Sequence, residues 1–266
     1  KPSDGKPVTM PSQDMIIGLY HLTSERSGAV GEGREFKDIA EAIMAFDLGE
    51  LDLGAAIRVR VDTLVPGKDI AAPEGWEPGQ PVILSTTLGR ALFNDVLPES
   101  YEYVNRTVDK KLLSAIVNRL ADEYPKVEVA QTLDNFKADG FYWATRSGIT
   151  VAMSDIVAPE AKKELLDGAE ELVDRVEEQY SIGALTYEER RGELVKIWTE
   201  ATDKVSASME QNFPEENSVL RLVNSGASGN WMQVRQLAGM RGLVTNPKGG
   251  IIPRPIKSNY REGLSV

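Results

Sequence analysis

The chain's 266 residues carry 41% hydrophobic side chains and a formal net charge of −11, enough apolar material for one large domain or two to three small ones. The absence of cysteine excludes disulfides and thiolate zinc sites, and a single histidine, His21, excludes His-rich metal centres and any triad that does not use it. No apolar run approaches the roughly 20 residues that span a bilayer, and no signal-peptide pattern is present.

Residues 1–10 are polar and turn-rich. Ser12 is placed to cap a short helix over MIIGLYHL, whose apolar side chains share one face. His21 falls on that face, where a packed or hydrogen-bonded histidine competes with a catalytic base in a small enzyme. Gly28, Gly31 and Gly33 make a loop; Gly31-Glu32-Gly33 lacks the third glycine and the preceding strand of a phosphate loop. Residues 38–46 predict a second helix, stopped near Gly49. Ile57-Arg58-Val59-Arg60-Val61 alternates as a strand, and the Pro/Gly-rich run after it leads to a second strand over 81–85. The two pair as a hairpin with a long connection. Thr87 caps a helix through LGRALFNDVLP that ends at Pro98. Residues 109–124 and 129–146 are amphipathic helices separated by Pro125, and 148–158 reads as extended.

Two long helical patterns follow, 159–182 and 186–212, joined by Gly183-Ala184-Leu185. Pro159 suits a first helical turn, and Thr186 with Glu189 makes a capping box. Leu165, Ala169, Leu172, Val176 and Tyr180 form one apolar stripe; Leu194, Trp198, Ala201 and Val205 form its match. A short loop between such patterns requires an antiparallel helical hairpin, about 35 Å long at 1.5 Å per residue and projecting. Its helices hold eight acidic and three basic groups, then six and four. That charge repels nucleic acid, leaving a protein partner, a cationic ligand or a merely solvated face. Asp167, Glu170, Glu171 and Asp174 sit at helical spacing and do not converge as metal ligands.

The last 46 residues change character. Residues 1–220 carry 23 basic and 40 acidic groups, whereas 221–266 carry 7 and 1. The run SGASGN enters a helix beginning near Trp231, with Gln233, Arg235 and Gln236 on its first turns and Arg241-Gly242 at its end. Free N–H groups at such a start suit a phosphate or a neighbouring backbone. The competing reading is a helix whose arginines reach solvent. Lys1 in place of Met, and a closing GLSV without a helix stop, create the expectation of a piece of a longer polypeptide.

The segment SGASGNWMQVRQLAGMRGLV, followed by IIPRPIKSNYREGL, resembles the largest catalytic subunit of bacterial multi-subunit RNA polymerase, the β′ family, with an actinobacterial flavour in WMQVR and NPKGGIIPRP. KPSDGKPVTMPSQDMIIGLYHLT is similar to the stretch after that family's loop of magnesium-binding aspartates, and TTLGRALFNDVLP and FYWATRSGITV fit as well. The resemblance covers essentially the whole chain. It implies a pore module over 1–157, a funnel hairpin of rim helices over 158–223, and a loop-helix over 224–266 leading to the bridge helix, together walling a secondary channel for nucleotides. The expected fold is α+β and mostly helical, with a small β region near 50–90 and the projecting hairpin.

Gln13 and Asp14 match the family's P-S-Q-D near the inner pore. Gln233, Arg235, Gln236 and Arg241 match Q-x-R-Q-x-x-G-x-R-G, where nucleotide passage and bridge-helix support are implied. Glu170, Glu171, Asp174, Glu177 and Glu178 become the docking rim for transcript-cleavage and stringent-response factors. Asn224 and Ser228 depart from the family's Asp-Ser-Gly-Ala-Arg-Gly, so direct charge contact with a triphosphate at Ser228 is not carried over. The resemblance also implies β, α, ω and sigma subunits as partners, nucleotide substrates, and DNA and RNA through the whole enzyme in the cytoplasm. Mg2+ belongs to aspartates upstream, so these residues alone are expected to be inert. The alternative reading is a stand-alone helical-hairpin binding module with a basic, phosphate-contacting tail.

Overall fold

The computed structural model describes residues 3, 5, 7–73, 75–214 and 216–264. Chain contacts divide the molecule into two units, residues 1–149 with 224–228, and residues 150–223 with 229–266. Nine α-helices and one three-stranded sheet occur among the described residues, and none of these helices is long and apolar enough to cross a membrane. The mostly helical α+β expectation holds.

In the first unit the alternating run becomes a central strand, β2 (Ala56–Val61), which buries Ile57, Val59 and Val61 and exposes Arg58 and Arg60. It pairs antiparallel with β3 (Val82–Thr87), with Val59 opposite Leu84. A two-residue strand, β1 (Glu35–Phe36), adds to its other edge in parallel. Local caps set the helices. Asp38 accepts from Glu41 N at 2.8 Å to start α2 (Ile39–Asp47), and Thr87 accepts from Arg90 N at 3.2 Å to start α3 (Leu88–Asp95). Asp109 accepts from Leu112 N at 2.8 Å to start α4 (Lys110–Glu123). α5 (Lys126–Ser147) begins directly after Pro125, three residues earlier than expected, because proline at the cap position gives up no helical hydrogen bond.

The first helix, α1 (Asp14–Thr23), corrects the expected serine cap. Gln13 occupies the cap position with φ 49°, the one positive φ at a non-glycine among the described residues. Its carbonyl accepts from Ile16 N and Ile17 N at 3.0 and 3.1 Å, so the helix starts without a side-chain cap. α1 crosses α5 at two glycines: a Cβ on Gly18 would fall 1.8 Å from the Gly140 carbonyl oxygen. Beyond the crossing, buried Thr23 accepts from Val108 N at 2.8 Å, and its carbonyl takes the Nε of buried Arg90 at 3.1 Å. Phe93 and Phe136 stack with centroids 5.5 Å apart in the core. Residues 224–228 join this unit where Lys110 N donates to the Ser225 carbonyl at 2.9 Å.

In the second unit the expected extended segment over 148–158 contains a 3-10 turn, Met153–Asp155, closed by Ala152 N on the Asp155 carboxylate at 2.8 Å. An aspartate accepting from its own backbone is turn chemistry, which the surrounding apolar residues obscure. The hairpin forms as α6 (Lys162–Ser181) and α7 (Tyr187–Asn212). Pro159 sits in the turn before α6. Gly183, at φ 77°, lets Ala184 N reach the Gln179 carbonyl and its own N–H reach Tyr180, a Schellman stop. Thr186 and Glu189 close the capping box.

The stripe on α7 is buried as expected, but the one on α6 is corrected. Ala169 and Val176 are buried, with Leu166 and Val173 half-buried, whereas Leu172 and Tyr180 are exposed. The row facing α7 is thus Leu166, Ala169, Val173 and Val176, which keeps two members of the expected stripe and replaces Leu165 and Leu172 by the residue after each. A further helix, α8 (Ser218–Asn224), was not expected; Asn217 Oδ1 accepts from Val219 N and Leu220 N at its start.

Candidate functional site

The basic segment does not continue as the single helix its sequence suggests. Asn230 opens α9 (Trp231–Val234): its Oδ1 accepts from Gln233 N at 2.9 Å, and Gln233 Oε1 accepts from Asn230 N at 3.1 Å. This capping box engages Gln233 in local structure. After one turn the chain widens into a π turn over Arg235–Gly239. Such turns put one extra residue into a helical circuit and are frequent at functional sites.

The tail of the chain holds this turn in place. Buried Asn259 donates from Nδ2 to the carbonyls of Ala238 and Gly239 at 2.8 and 3.3 Å. Tyr260 N reaches the Gln236 carbonyl at 3.0 Å, Arg241 N reaches Ser258 at 3.0 Å, and Gly242 and Ile256 exchange both backbone bonds. Glu262 accepts from Asn259 N at 3.1 Å and from Lys162 Nζ at 2.6 Å, and Arg261 donates to the Ile156 carbonyl. Burial works to raise the Glu262 carboxyl's pKa. The hydrogen bonds from Lys162 and Asn259 outweigh it and bring the net value below the ordinary carboxylate level.

Of the four residues singled out here, two meet. Gln236 Oε1 accepts from Arg241 Nη1, and the Arg241 guanidinium lies over the Tyr260 ring at 5.7 Å. Arg235 is half-buried, and its Nε is enclosed with no hydrogen-bond partner among the described residues. A guanidinium with an unmet buried donor is held at a cost. Gln13 and Asp14 belong to the first unit, both exposed, with Gln13 in its left-handed conformation and Asp14 opening α1. Left-handed backbone at a non-glycine residue concentrates at functional sites. His21 takes the hydrogen-bonded alternative: Arg26 Nη2 lies 3.2 Å from its Nδ1, and Arg26 reaches Asp52 at 3.4 Å.

The acidic face of the hairpin divides in two. Glu170 pairs with Lys257, whose ammonium also lies 5.3 Å from the Trp198 ring. Glu177 receives Arg190 through two bonds, at 2.7 and 2.5 Å, and this holds its carboxyl below the ordinary value. Glu171, Asp174 and Glu178 are exposed and form no ion pair among the described residues. Those three are the rim acids left without an ion-pair partner among the described residues.

The residues that sequence reasoning missed are Asn259, Glu262 and Lys162. Each is a polar side chain whose role depends on a partner far along the chain, and a single sequence carries no signal for that.

Two family models match the chain: RNA polymerase Rpb1, domain 3, over residues 1–156, and RNA polymerase Rpb1, domain 4, over residues 185–261. The chain is 63% identical over 266 residues to a protein of Beutenbergia cavernae named DNA-directed RNA polymerase subunit beta', covering all of this chain and 20% of that one. Proteins of the same name from Kineococcus radiotolerans and Saccharopolyspora erythraea are 58% and 59% identical, again over the whole chain and 21% and 20% of theirs. The chain therefore spans about a fifth of the length of the curated relatives it matches.

Proposed function

The chain belongs to the RNA polymerase Rpb1 domain 3 family, and from that premise we propose that it works as one segment of the β′ subunit of a DNA-dependent RNA polymerase. In this role it walls the secondary channel through which nucleotides reach an active centre built elsewhere in the subunit. The observation that carries the proposal is its identity of 63% across the whole chain to a relative named as that subunit. Residues 1–157 serve as the pore module, 158–223 as the funnel hairpin, and 224–266 as the loop-helix leading to the bridge helix.

Its contribution is position and charge. Arg235, Gln236 and Arg241 brace the bridge helix from a turn that the tail pins, and Gln13 and Asp14 lie near the inner pore. Glu171, Asp174 and Glu178 keep the hairpin negative where a regulator with a basic face docks. The β, α, ω and sigma subunits, nucleotides, DNA and RNA are partners of the assembled enzyme in the cytoplasm. Nucleotidyl transfer of this class runs on Mg2+. Among the described residues no three His, Cys, Asp or Glu side chains are grouped to hold a metal. On this reading the ion's ligands lie elsewhere in the subunit, and no chemical step is assigned to these residues.

The test is segment exchange. These 266 residues replace the matching fifth of the Beutenbergia cavernae subunit, and the reassembled enzyme transcribes a defined template. RNA synthesis within a fewfold of the parent enzyme is expected. Failure to assemble, or assembly without synthesis, contradicts the proposal.

A further inference from the structure

We propose that Asn259 is a positioning residue: its buried carboxamide fixes the π turn over Arg235–Gly239 and so sets the placement of Arg235 and Gln236. The inference rests on the functional reading above for its consequence, but its geometry stands on the fold alone.

Asn259 has no exposed surface, and its side-chain amide, side-chain oxygen and backbone N–H are all engaged. Nδ2 donates to Ala238 and Gly239, Oδ1 accepts from Glu262 N at 2.7 Å, and the backbone N–H donates to the Glu262 carboxylate. Ala238 and Gly239 are themselves buried, so without Asn259 their carbonyls lose those donors in a place water does not reach. A return to α-helical spacing would restore a regular ladder. It would also rotate everything beyond the turn by about 100° relative to what precedes it. Arg241, now against Gln236 and Tyr260, would leave that contact.

The carboxamide is itself anchored. Glu262 receives Lys162, whose side chain is 11% exposed at the start of α6, so the line Lys162–Glu262–Asn259–turn has no gap. Aspartate has the same shape as asparagine but no amide donor, and as carboxylate it would set negative oxygens against two carbonyl oxygens. Asn259→Asp therefore removes the function with little change in volume, and Asn259→Ala removes the side chain's bonds altogether.

The test uses RNA polymerase whose β′ subunit contains this chain, unaltered or with Asn259→Asp, Asn259→Ala, Arg235→Ala, or Asn259→Ala with Arg235→Ala. Single-nucleotide addition is followed against nucleotide concentration. Both Asn259 variants are expected to lower the maximal rate by about tenfold or more, with KM changed less than about twofold, since a displaced positioning group costs rate through geometry. In the Arg235→Ala background the Asn259→Ala effect should shrink to less than about twofold, because the two act through one arrangement. Amide exchange over residues 236–241 should be at least about tenfold faster in Asn259→Ala, with α7 unchanged. Multiplicative rate effects, or exchange equal to the parent's, would overturn the role. An inactive enzyme with the unaltered chain sinks the functional reading instead, and the exchange comparison still decides for or against Asn259.

Discussion

At Gly18 the neighbouring backbone occupies the space where a side chain would begin. A Cβ there lies 1.8 Å from the Gly140 oxygen and 2.7 Å from Ala144 N, so α1 and α5 must separate to admit it. Gly18→Ala is expected to destabilise the chain by about 1–3 kcal/mol or more, the usual cost of overpacking. Gly168, helical with nothing within 4 Å, is the control: its alanine variant should gain up to about 1 kcal/mol. Thermal unfolding of the two variants side by side gives the answer, and equal melting points would mean the crossing is looser than described. Glu262 supplies a second residue-scale expectation. Its folded pKa is depressed, so its contribution is complete above the ordinary value of 4.5 and is lost as pH falls through the lower folded value. Denaturant titrations between neutral pH and about pH 3 should show a drop below 4.5 that Glu262→Gln removes. An identical pH profile in that variant would mean the Lys162 pair adds nothing.

The hairpin shows which parts of an element a sequence states and which it leaves to the partner. Thr87 and the Thr186/Glu189 box were legible as caps because a cap acts on residues within three positions of itself. The stripe on α6 was not. Leu165-Leu166 and Leu172-Val173 are apolar doublets, so two stripes that share Ala169 and Val176 fit equally well, and contact with Ala201 and Trp198 of α7 selects the one through Leu166 and Val173. β1 has two residues, too few for any period. The left-handed start at Gln13 has no mark in P-S-Q-D, where Ser12 offers the better local cap. At the site, neither the pairing of Gln236 with Arg241 nor the π turn was legible, since the turn depends on Asn259 some twenty residues on and five-residue spacing is not a helical-face pairing. Gln233 carried a readable capping signal three residues after Asn230, and the structure puts it to that use. The hairpin also carries a prediction of its own. Reversing Glu171, Asp174 and Glu178 together to Lys should weaken capture of a transcript-cleavage factor by about five- to a hundredfold at low salt, each exposed charge being worth up to about 1 kcal/mol. Binding unchanged by all three reversals would place the docking face elsewhere.

Across the molecule, charge is distributed by task. The first 220 residues are strongly acidic, and the last 46 carry seven basic side chains against one acid. Most of the basic groups in that tail that have described partners meet the protein itself: Lys257 on Glu170 and Trp198, Arg241 on Gln236 and Tyr260, Arg261 on Ile156. These three basic side chains are therefore part of the second unit's internal framework. Arg235, by contrast, is held half-buried with an enclosed Nε that has no hydrogen-bond partner among the described residues. On the proposed reading that is the group through which this corridor acts on the enzyme's moving parts, while the reacting ions are gripped elsewhere in the subunit. The most direct measurement is the nucleotide addition rate of assembled polymerase carrying Arg235→Ala. The expected result is normal assembly with addition slowed by about ten- to a hundredfold, the scale of a misplaced supporting group. Elongation at the parent rate would contradict the account.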